Sequence, residues 1–201
     1  PSNVRHALRE KHAQGAVLGI LNAPGNQVDP NRSPHIARFS IDDVTKGKAQ
    51  NKNAIQARVG LRSDVQRPLF FWPHRLFAQK SPELLHAVAA RLVHLFDAQL
   101  LVVANGDPVE ERRMMQLARN YPGRIAYTAF QEELSELGKA AADFILMPSR
   151  YEPCGLPQME GPRFGALPIV HRTGGLKDTV VELSSDGEQG EGFVFEPHTS
   201  D

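Results

Sequence analysis

Residues 143–156 read DFILMPSRYEPCGL, a run that contains a strand, a turn and the start of a helix. The part at 143–147 is short and mostly apolar, which is typical of a buried strand. The proline-bounded turn that follows carries Glu152, and Gly155 opens the next helix. The segment therefore predicts one strand–turn–helix unit with a carboxylate in its connecting turn.

The same alternation of strands and helices continues on both sides of this unit. Strands are predicted at 68–72, 99–104, 124–128, 143–147, 167–170 and 192–195, and helices at 82–95, up to Asn120, and at 131–142. Because apolar strands alternate with helices, we expect a doubly wound α/β fold, in which helices cover both faces of a parallel sheet. Right-handed crossovers then place the C-terminal loops of all strands on one edge, where such sheets bind ligands.

The first helix of this core has local start signals. Ser81 is predicted as its N-cap and Pro82 as its first residue. Apolar residues at helical spacing predict one buried face. They are Leu84, Leu85, Val88, Leu92 and Leu95.

Residues 1–67 form a less regular leading segment before the core at 68–195. We expect a helix at 3–13, a strand at 16–21, a long loop at 22–40 and a surface helix at 45–60. The chain starts without methionine and stops just after a strand-like run. We therefore interpret residues 1–201 as a single domain excised from a larger protein.

The composition excludes several classes of protein. Lys plus Arg and Asp plus Glu are 23 each, so the net charge is zero and no basic surface for nucleic acid or anionic membrane is expected. No apolar run is long enough to span a bilayer. The single cysteine, Cys154, excludes an internal disulfide and suggests a cytoplasmic location. The eight histidines follow no metal-binding spacing, so neither a metal nor a cofactor is predicted.

Two cations, Arg75 and Lys80, precede the first core helix. Positive charge at a helix N-terminus suits a phosphate group, because it adds to the helix dipole. The planar fork of arginine and the point charge of lysine are a frequent pairing for diphosphates. Two solvated surface cations are the simpler interpretation of the local sequence.

Two further turns at predicted strand ends are candidates for ligand binding. Glu152 is suited to bond sugar hydroxyls or to stabilise developing positive charge, and Gly155 lets a ligand approach the backbone amides that follow. A surface glutamate in a rigid turn is the alternative. Gly174 and Gly175 indicate either a tight turn, which is the simpler interpretation, or a close approach to ligand.

Taken in order, DFILMPSRYEPCGL and IVHRTGGL (169–176) resemble the C-terminal domain of bacterial glycogen synthases and plant starch synthases. The resemblance runs from about residue 46 to 195 and is strongest over 143–179. It implies a Rossmann-like sheet that forms the C-terminal half of a retaining GT-B glycosyltransferase. It also implies an N-terminal domain that is absent from this chain.

The resemblance implies roles for individual residues. Arg75 and Lys80 correspond to the pair that neutralises the nucleotide diphosphate, and Glu152 to the glutamate beside the reacting carbon of the donor glucose. Phe130 stands where the family has a tyrosine that stacks on adenine. The loop expected to wrap the sugar and the distal phosphate contains Cys154, Gly155, Leu156 and Pro157, with Gly174 and Gly175 also assigned to donor binding.

Three departures from the family pattern stand out. Ser81-Pro82 replaces the usual Gly-Leu after Lys80. Pro157 replaces a threonine and so removes a hydroxyl and a backbone donor. Glu160 replaces a tyrosine or histidine and restores the two-glutamate spacing of other retaining GT-B enzymes, whose second glutamate bonds the ribose hydroxyls.

The implied activity is retaining transfer of glucose from ADP-glucose, or another nucleoside diphosphate glucose, to an α-1,4-glucan. Two alternatives stay open. One is a GT-B transferase for another sugar or acceptor, suggested by Glu160. The other is a nucleotide-binding or regulatory module without catalysis, suggested by Pro157. The isolated chain is expected to bind nucleotide and to be inactive, because the acceptor is held by the N-terminal domain.

Overall fold

The computed structural model describes residues 2–199 and contains one parallel sheet of six strands. The strands are β1 (Leu69–Trp72), β2 (Gln99–Val103), β3 (Ile125–Thr128), β4 (Phe144–Met147), β5 (Leu167–His171) and β6 (Phe193–Phe195). Their order across the sheet is β3-β2-β1-β4-β5-β6, and each neighbouring pair is parallel. The predicted doubly wound α/β fold is therefore confirmed, and all six core strands lie within one or two residues of their predicted positions.

Seven α-helices accompany the sheet within the described residues. They are α1 (Ser2–Ala13), α2 (Val44–Val59), α3 (Pro82–Leu95), α4 (Pro108–Asn120), α5 (Glu132–Ala141), α6 (Pro157–Glu160) and α7 (Gly174–Thr179). Short 3₁₀ helices occupy Ile41–Asp43, Ala78–Lys80 and Gly161–Phe164. Between residues 2 and 199, no helix combines the length and the apolarity needed to cross a membrane.

Alternate side chains of the strands build two cores, one on each face of the sheet. Leu69 and Phe71 of β1 belong to the core that includes residues of α2 and α5. Phe70 and Trp72 belong to the opposite core, which includes residues of α3 and α4. This two-sided burial explains why the strands are apolar throughout rather than alternating with polar residues.

Helix α2 is more deeply buried than a surface helix, so the sequence-based interpretation was wrong in this respect. Its buried residues are Gly47, Asn51, Lys52, Ile55 and Gln56. Lys52 Nζ donates to the carbonyl oxygens of Val65 and Arg67, at 3.2 and 3.1 Å, and to Asp143 Oδ2 at 2.6 Å. The polar residues of α2 are therefore buried because they satisfy loop carbonyls and a carboxylate, which a helical pattern alone does not reveal.

The strand predicted at 16–21 is wrong. This segment forms no strand, and the side chains of Leu18 and Ile20 are 83% and 84% exposed. A β-strand needs a neighbouring backbone for its hydrogen bonds. Among residues 2–199 this segment pairs with no strand, whereas the helix predicted just before it is present as α1.

The start of α3 differs from its prediction in one respect. Pro82 occupies the first turn as predicted, but Ser81 makes no capping hydrogen bond and adopts a left-handed conformation with φ 61°. The buried face also differs, because Leu85 is buried, whereas Leu95 is largely exposed. Leu84, Val88 and Leu92 line an open apolar groove beside the sheet.

The Lys52 contacts predict a strong effect on stability. We expect Lys52→Ala to lower the free energy of unfolding by about 3 kcal/mol, because it removes the cation paired with Asp143 and the donor to two loop carbonyls. Urea denaturation measures this change. Lys46→Ala, an exposed lysine on the same helix, is the matched control and should change the free energy by less than about 0.5 kcal/mol. Equal decreases in the free energy of unfolding of the two variants would contradict the prediction.

Candidate functional site

The candidate site lies where β1 and β4 end side by side. These two strands pair in parallel, with Phe70 opposite Phe144 and Phe71 opposite Ile145. From this pair the chain builds β2 and β3 on one side and β5 and β6 on the other. The order of the strands reverses here, and doubly wound sheets bind ligands in the crevice outside the carboxyl ends of the strands at such a point. The loop after β1 carries Lys80, and the loop after β4 carries Glu152.

Lys80 and Glu152 form a buried ion pair at this point of reversal. Lys80 Nζ contacts Glu152 Oε2, although the two residues are 72 positions apart. The lysine side chain is 16% exposed and the glutamate side chain 8%. Ser149, which is fully buried, donates from Oγ to the same Oε2 at 3.2 Å. Both of these contacts use the same oxygen of the Glu152 carboxylate.

Backbone contacts hold the two loops together around this pair. The amide of Arg150 donates to the carbonyl oxygen of Gln79 at 2.9 Å, and Gln79 Nε2 donates to the carbonyl oxygen of Tyr151 at 3.1 Å. Arg150 Nη2 also contacts Glu83 Oε1 at 2.7 Å. The separation of Lys80 from Glu152 therefore depends on several contacts between the loops.

Arg75 does not share the burial of Lys80. Its side chain is exposed, and its guanidinium carbon lies 5.4 Å from the centroid of the Phe77 ring. Stacking of this kind orients a guanidinium while leaving its edge open to solvent. The predicted contact of Arg75 with a diphosphate therefore stays a prediction.

Gly174 and Gly175 pack against the backbone of the loop that carries Glu152. A Cβ on Gly174 would lie 2.1 Å from the carbonyl oxygen of Glu152, and one on Gly175 would lie 2.3 Å from that of Cys154. The amide of Gly175 donates to the carbonyl oxygen of Glu152 at 2.8 Å. Both glycines are thus required for close packing of the protein itself, in agreement with the turn interpretation, and their contact with a donor stays a prediction.

The remaining residues predicted to wrap the donor follow Glu152 directly. Gly155 has φ +76°, and Leu156 is the N-cap of α6, of which Pro157 is the first residue. Cys154 is a half-buried free thiol, with its Sγ 3.7 Å from the carbonyl oxygen of Asn22 in the leading segment. A proline at the first helical position removes an amide that has no partner inside the helix.

Glu160 is the last residue of α6 and is buried. Its Oε2 lies 2.5 Å from Lys139 Nζ on α5. The structure therefore gives this carboxylate a protein partner, and its predicted contact with a ribose stays a prediction.

Asn105 was not identified from the sequence as a site residue, although it lies beside Phe130. Its Oδ1 accepts a hydrogen bond from the amide of Phe130 at 2.9 Å. The Phe130 side chain is 53% exposed, so one aromatic face is open at the same edge of the sheet as Glu152. The turn at 105–107 was the only signal, because a side chain that holds the backbone of a distant residue follows no local pattern.

His74 is buried beneath Lys80. Its Nε2 donates to the carbonyl oxygen of Leu146 at 3.1 Å, and its own carbonyl accepts from Trp72 Nε1 at 2.8 Å. Burial lowers the pKa of this imidazole to about 3, and the positive charge of Lys80 adds to the effect. His74 is therefore neutral at physiological pH and does not compete with Lys80 for an anion.

Within the part of the chain that the structure describes, no group of three or more His, Cys, Asp or Glu side chains is arranged to hold a metal ion. The loops after β1 and β4 instead include the charged residues Arg75, Lys80 and Glu152. A cation beside a carboxylate can hold an anionic group while the carboxylate stabilises positive charge next to it.

Comparison with known proteins identifies related sequences and a related structure. Residues 54–201 match the family described as glycosyl transferases group 1. Glycogen synthases of Nitrosospira multiformis and Nitrosomonas europaea are 40% and 42% identical over 94% and 92% of the chain, which spans 38% of each relative. The catalytic domain of starch synthase IV from Arabidopsis thaliana, bound to ADP and acarbose, superimposes with a TM-score of 0.86 at 29% identity. That match covers 96% of this chain and 41% of the other.

The buried imidazole of His74 predicts a measurable acid sensitivity. Its folded pKa of about 3 lies below the value of about 6.5 in an unfolded chain, so the unfolded state binds the proton first as pH falls. His74 therefore lowers the free energy of unfolding progressively between pH 6.5 and 3. His74→Gln retains a donor for the carbonyl of Leu146 but cannot titrate. We expect its loss of stability between pH 6.5 and 4 to be smaller than that of the unmodified protein by about 2–3 kcal/mol.

Urea denaturation across this pH range tests the prediction. His12→Gln, an exposed histidine on α1, is the matched control and should follow the unmodified protein. An acid dependence unchanged by His74→Gln would show that the imidazole is not held neutral in the folded protein.

Proposed function

The chain belongs to the glycosyl transferase group 1 family, and on that premise we propose that it is the donor-binding half of a retaining glucosyltransferase of the glycogen/starch synthase type. The proposed donor is ADP-glucose, and the proposed acceptor is the non-reducing end of an α-1,4-glucan. A second, N-terminal domain completes the active site in this proposal. The free thiol of Cys154 suits a cytoplasmic location.

The observation that carries this proposal is the meeting of Lys80 with Glu152 at the reversal point of the sheet. A nucleotide sugar presents a diphosphate directly bonded to the anomeric carbon, so its site needs a cation and a carboxylate a few ångströms apart. The strand ends of β1 and β4 provide this arrangement. An ion pair with a purely structural role would not need to lie at the edge where doubly wound sheets bind ligands.

The relatives support the nature of the donor and the missing half. The starch synthase IV structure was solved with ADP, and its similarity extends over nearly the whole chain. Both glycogen synthase relatives are more than twice as long as the segment that they share with this chain. The length difference leaves room in such proteins for the N-terminal domain that the proposal requires.

The arrangement of charges suggests how the transfer proceeds. As the bond between the anomeric carbon and the diphosphate breaks, positive charge develops on the sugar and negative charge on the departing phosphate. Glu152 stabilises the first, while Lys80, Arg75 and the amides after Cys154 stabilise the second. The departing phosphate accepts the proton of the acceptor hydroxyl, so no general base is required from this chain.

The exposed ring of Phe130 is the proposed platform for adenine. Its backbone amide is fixed by Asn105 in the loop after β2. Stacking on a phenylalanine face does not by itself select among nucleobases. Titration with ADP, UDP and GDP therefore tests the donor: preference for ADP supports the proposal, whereas preference for another nucleotide favours a transferase for a different donor.

Removing a cation of the proposed site and removing the charge of Glu152 should change ADP affinity in opposite directions. Lys80→Ala and Arg75→Ala should each weaken binding by about 1–3 kcal/mol, the range for hydrogen bonds to charged groups. Glu152→Gln should bind ADP at least as tightly as the unmodified chain, because Lys80 is then released from its carboxylate partner. Isothermal titration calorimetry measures all three affinities.

Glu188→Gln is the control for the change in net charge, because its side chain is exposed. Unchanged affinities in both alanine variants would refute the assignment of the diphosphate site. A weaker affinity in Glu152→Gln than in Glu188→Gln would show that the Glu152 carboxylate does not compete with ADP for Lys80.

The isolated chain should bind ADP without transferring glucose. Catalysis by such enzymes needs a closed cleft that holds both substrates in line and excludes water. The assay is incorporation of labelled glucose from ADP-glucose into glycogen, with the full-length glycogen synthase of Nitrosomonas europaea as positive control. Robust incorporation by residues 1–201 alone would show that the active site is self-contained.

A further inference from the structure

His198 connects the two loops that carry Lys80 and Glu152. It lies three residues after β6, and its Nε2 is 3.0 Å from Ser81 Oγ and 2.8 Å from the carbonyl oxygen of Pro148. Ser81 follows Lys80 directly, and Pro148 begins the loop that leads to Glu152. One ring nitrogen therefore contacts both the loop that carries Lys80 and the loop that carries Glu152.

The chemistry of these partners fixes the direction of the hydrogen bonds. A carbonyl oxygen only accepts, so His198 Nε2 must carry a proton and donate it to Pro148, with Ser81 Oγ as a second acceptor. The same reasoning applies to His171, whose Nδ1 donates to the carbonyl oxygen of Ser149 at 2.8 Å. The two imidazoles touch edge to face, with centroids 4.6 Å apart. Two consecutive carbonyls of the loop are thus held by two imidazoles in contact.

The residues that His198 and His171 bind are neighbours of both members of the Lys80–Glu152 ion pair. Ser149 donates through its own hydroxyl to Glu152 Oε2, so a displacement of its backbone would move that hydrogen bond. Ser81 is fully buried and has φ 61°, a conformation that non-glycine residues adopt only where surrounding contacts maintain it. The contact of its hydroxyl with His198 is one such contact, and it takes the place of the helix cap that this serine does not make.

We propose that His198 is a positioning residue of the donor site. By joining Ser81 to Pro148 it sets the separation of the Lys80 loop from the Glu152 loop, and His171 supports it through ring contact. His198 itself touches no reacting atom. Its effect on nucleotide affinity rests on the proposed function, whereas its bridging of the loops does not.

Two substitutions separate the hydrogen bonds of His198 from the shape of its ring. His198→Phe retains a ring against His171 but has no donor, and His198→Gln retains an N–H donor in its side-chain amide. His94→Phe is the matched control, because it makes the same change at an exposed histidine whose ring contacts Tyr121 by its edge. All variants are made in the 201-residue chain.

Amide hydrogen exchange in the ligand-free chain is the first measurement. In His198→Phe we expect about tenfold faster exchange at 79–83 and 149–152, with the rest of the sheet unchanged. His198→Gln should restore the exchange rates of the unmodified chain, and His94→Phe should not alter these segments. Faster amide exchange over the whole chain that His198→Gln does not reverse would indicate a general structural role and overturn the proposal.

ADP affinity by calorimetry is the second measurement. We expect His198→Phe to raise the dissociation constant about tenfold and His198→Gln to restore it. If the unmodified chain bound no ADP, the proposed function would fail, yet faster exchange in both loops with rescue by His198→Gln would still support the bridge. Unchanged exchange in His198→Phe would overturn the bridge whatever the affinity for ADP.

Discussion

The parallel pairing of β1 with β4 is the constraint on which the other contacts of the site depend. The chain leaves this pair in opposite directions, towards β3 on one side and β6 on the other. The strand order reverses at this pair, and doubly wound sheets bind ligands outside the carboxyl ends of the strands at such a point. The register that sets Phe70 opposite Phe144 also brings Lys80 and Glu152 together across 72 residues of sequence.

The ion pair of Lys80 with Glu152 joins a positive and a negative charge at the candidate site. Each group offsets the charge of the other while both are largely withdrawn from water, where an unpaired charge would be costly. In the proposed function, a diphosphate offers the lysine a more strongly charged partner, so donor binding would release Glu152. The neutral imidazole of His74 below them adds no competing charge, because burial keeps its pKa far below physiological pH.

Different polar side chains hold the loops at the amino ends and at the carboxyl ends of the strands. At the amino ends of the strands, Lys52 of α2 holds loop carbonyls and the carboxylate of Asp143, which precedes β4. At the carboxyl ends, Gln79, Asn105 and His198 hold neighbouring loops through backbone groups. Polar side chains thus fix the backbone at both edges, while the apolar strands between them form the two cores.

The fold and the candidate residues could be predicted from the amino-acid sequence. Short apolar runs bounded by turn residues identified all six core strands, and a specific string placed Glu152 in a strand-end turn. Tertiary structure was needed to show which groups meet: Lys80 with Glu152, Asn105 with Phe130, and His198 with Ser81. Tertiary structure also showed that residues 16–21 have no partner strand among residues 2–199. The physical reason is that burial leaves a local periodic pattern, whereas a hydrogen bond between distant residues depends on strand order and register, which no local pattern records.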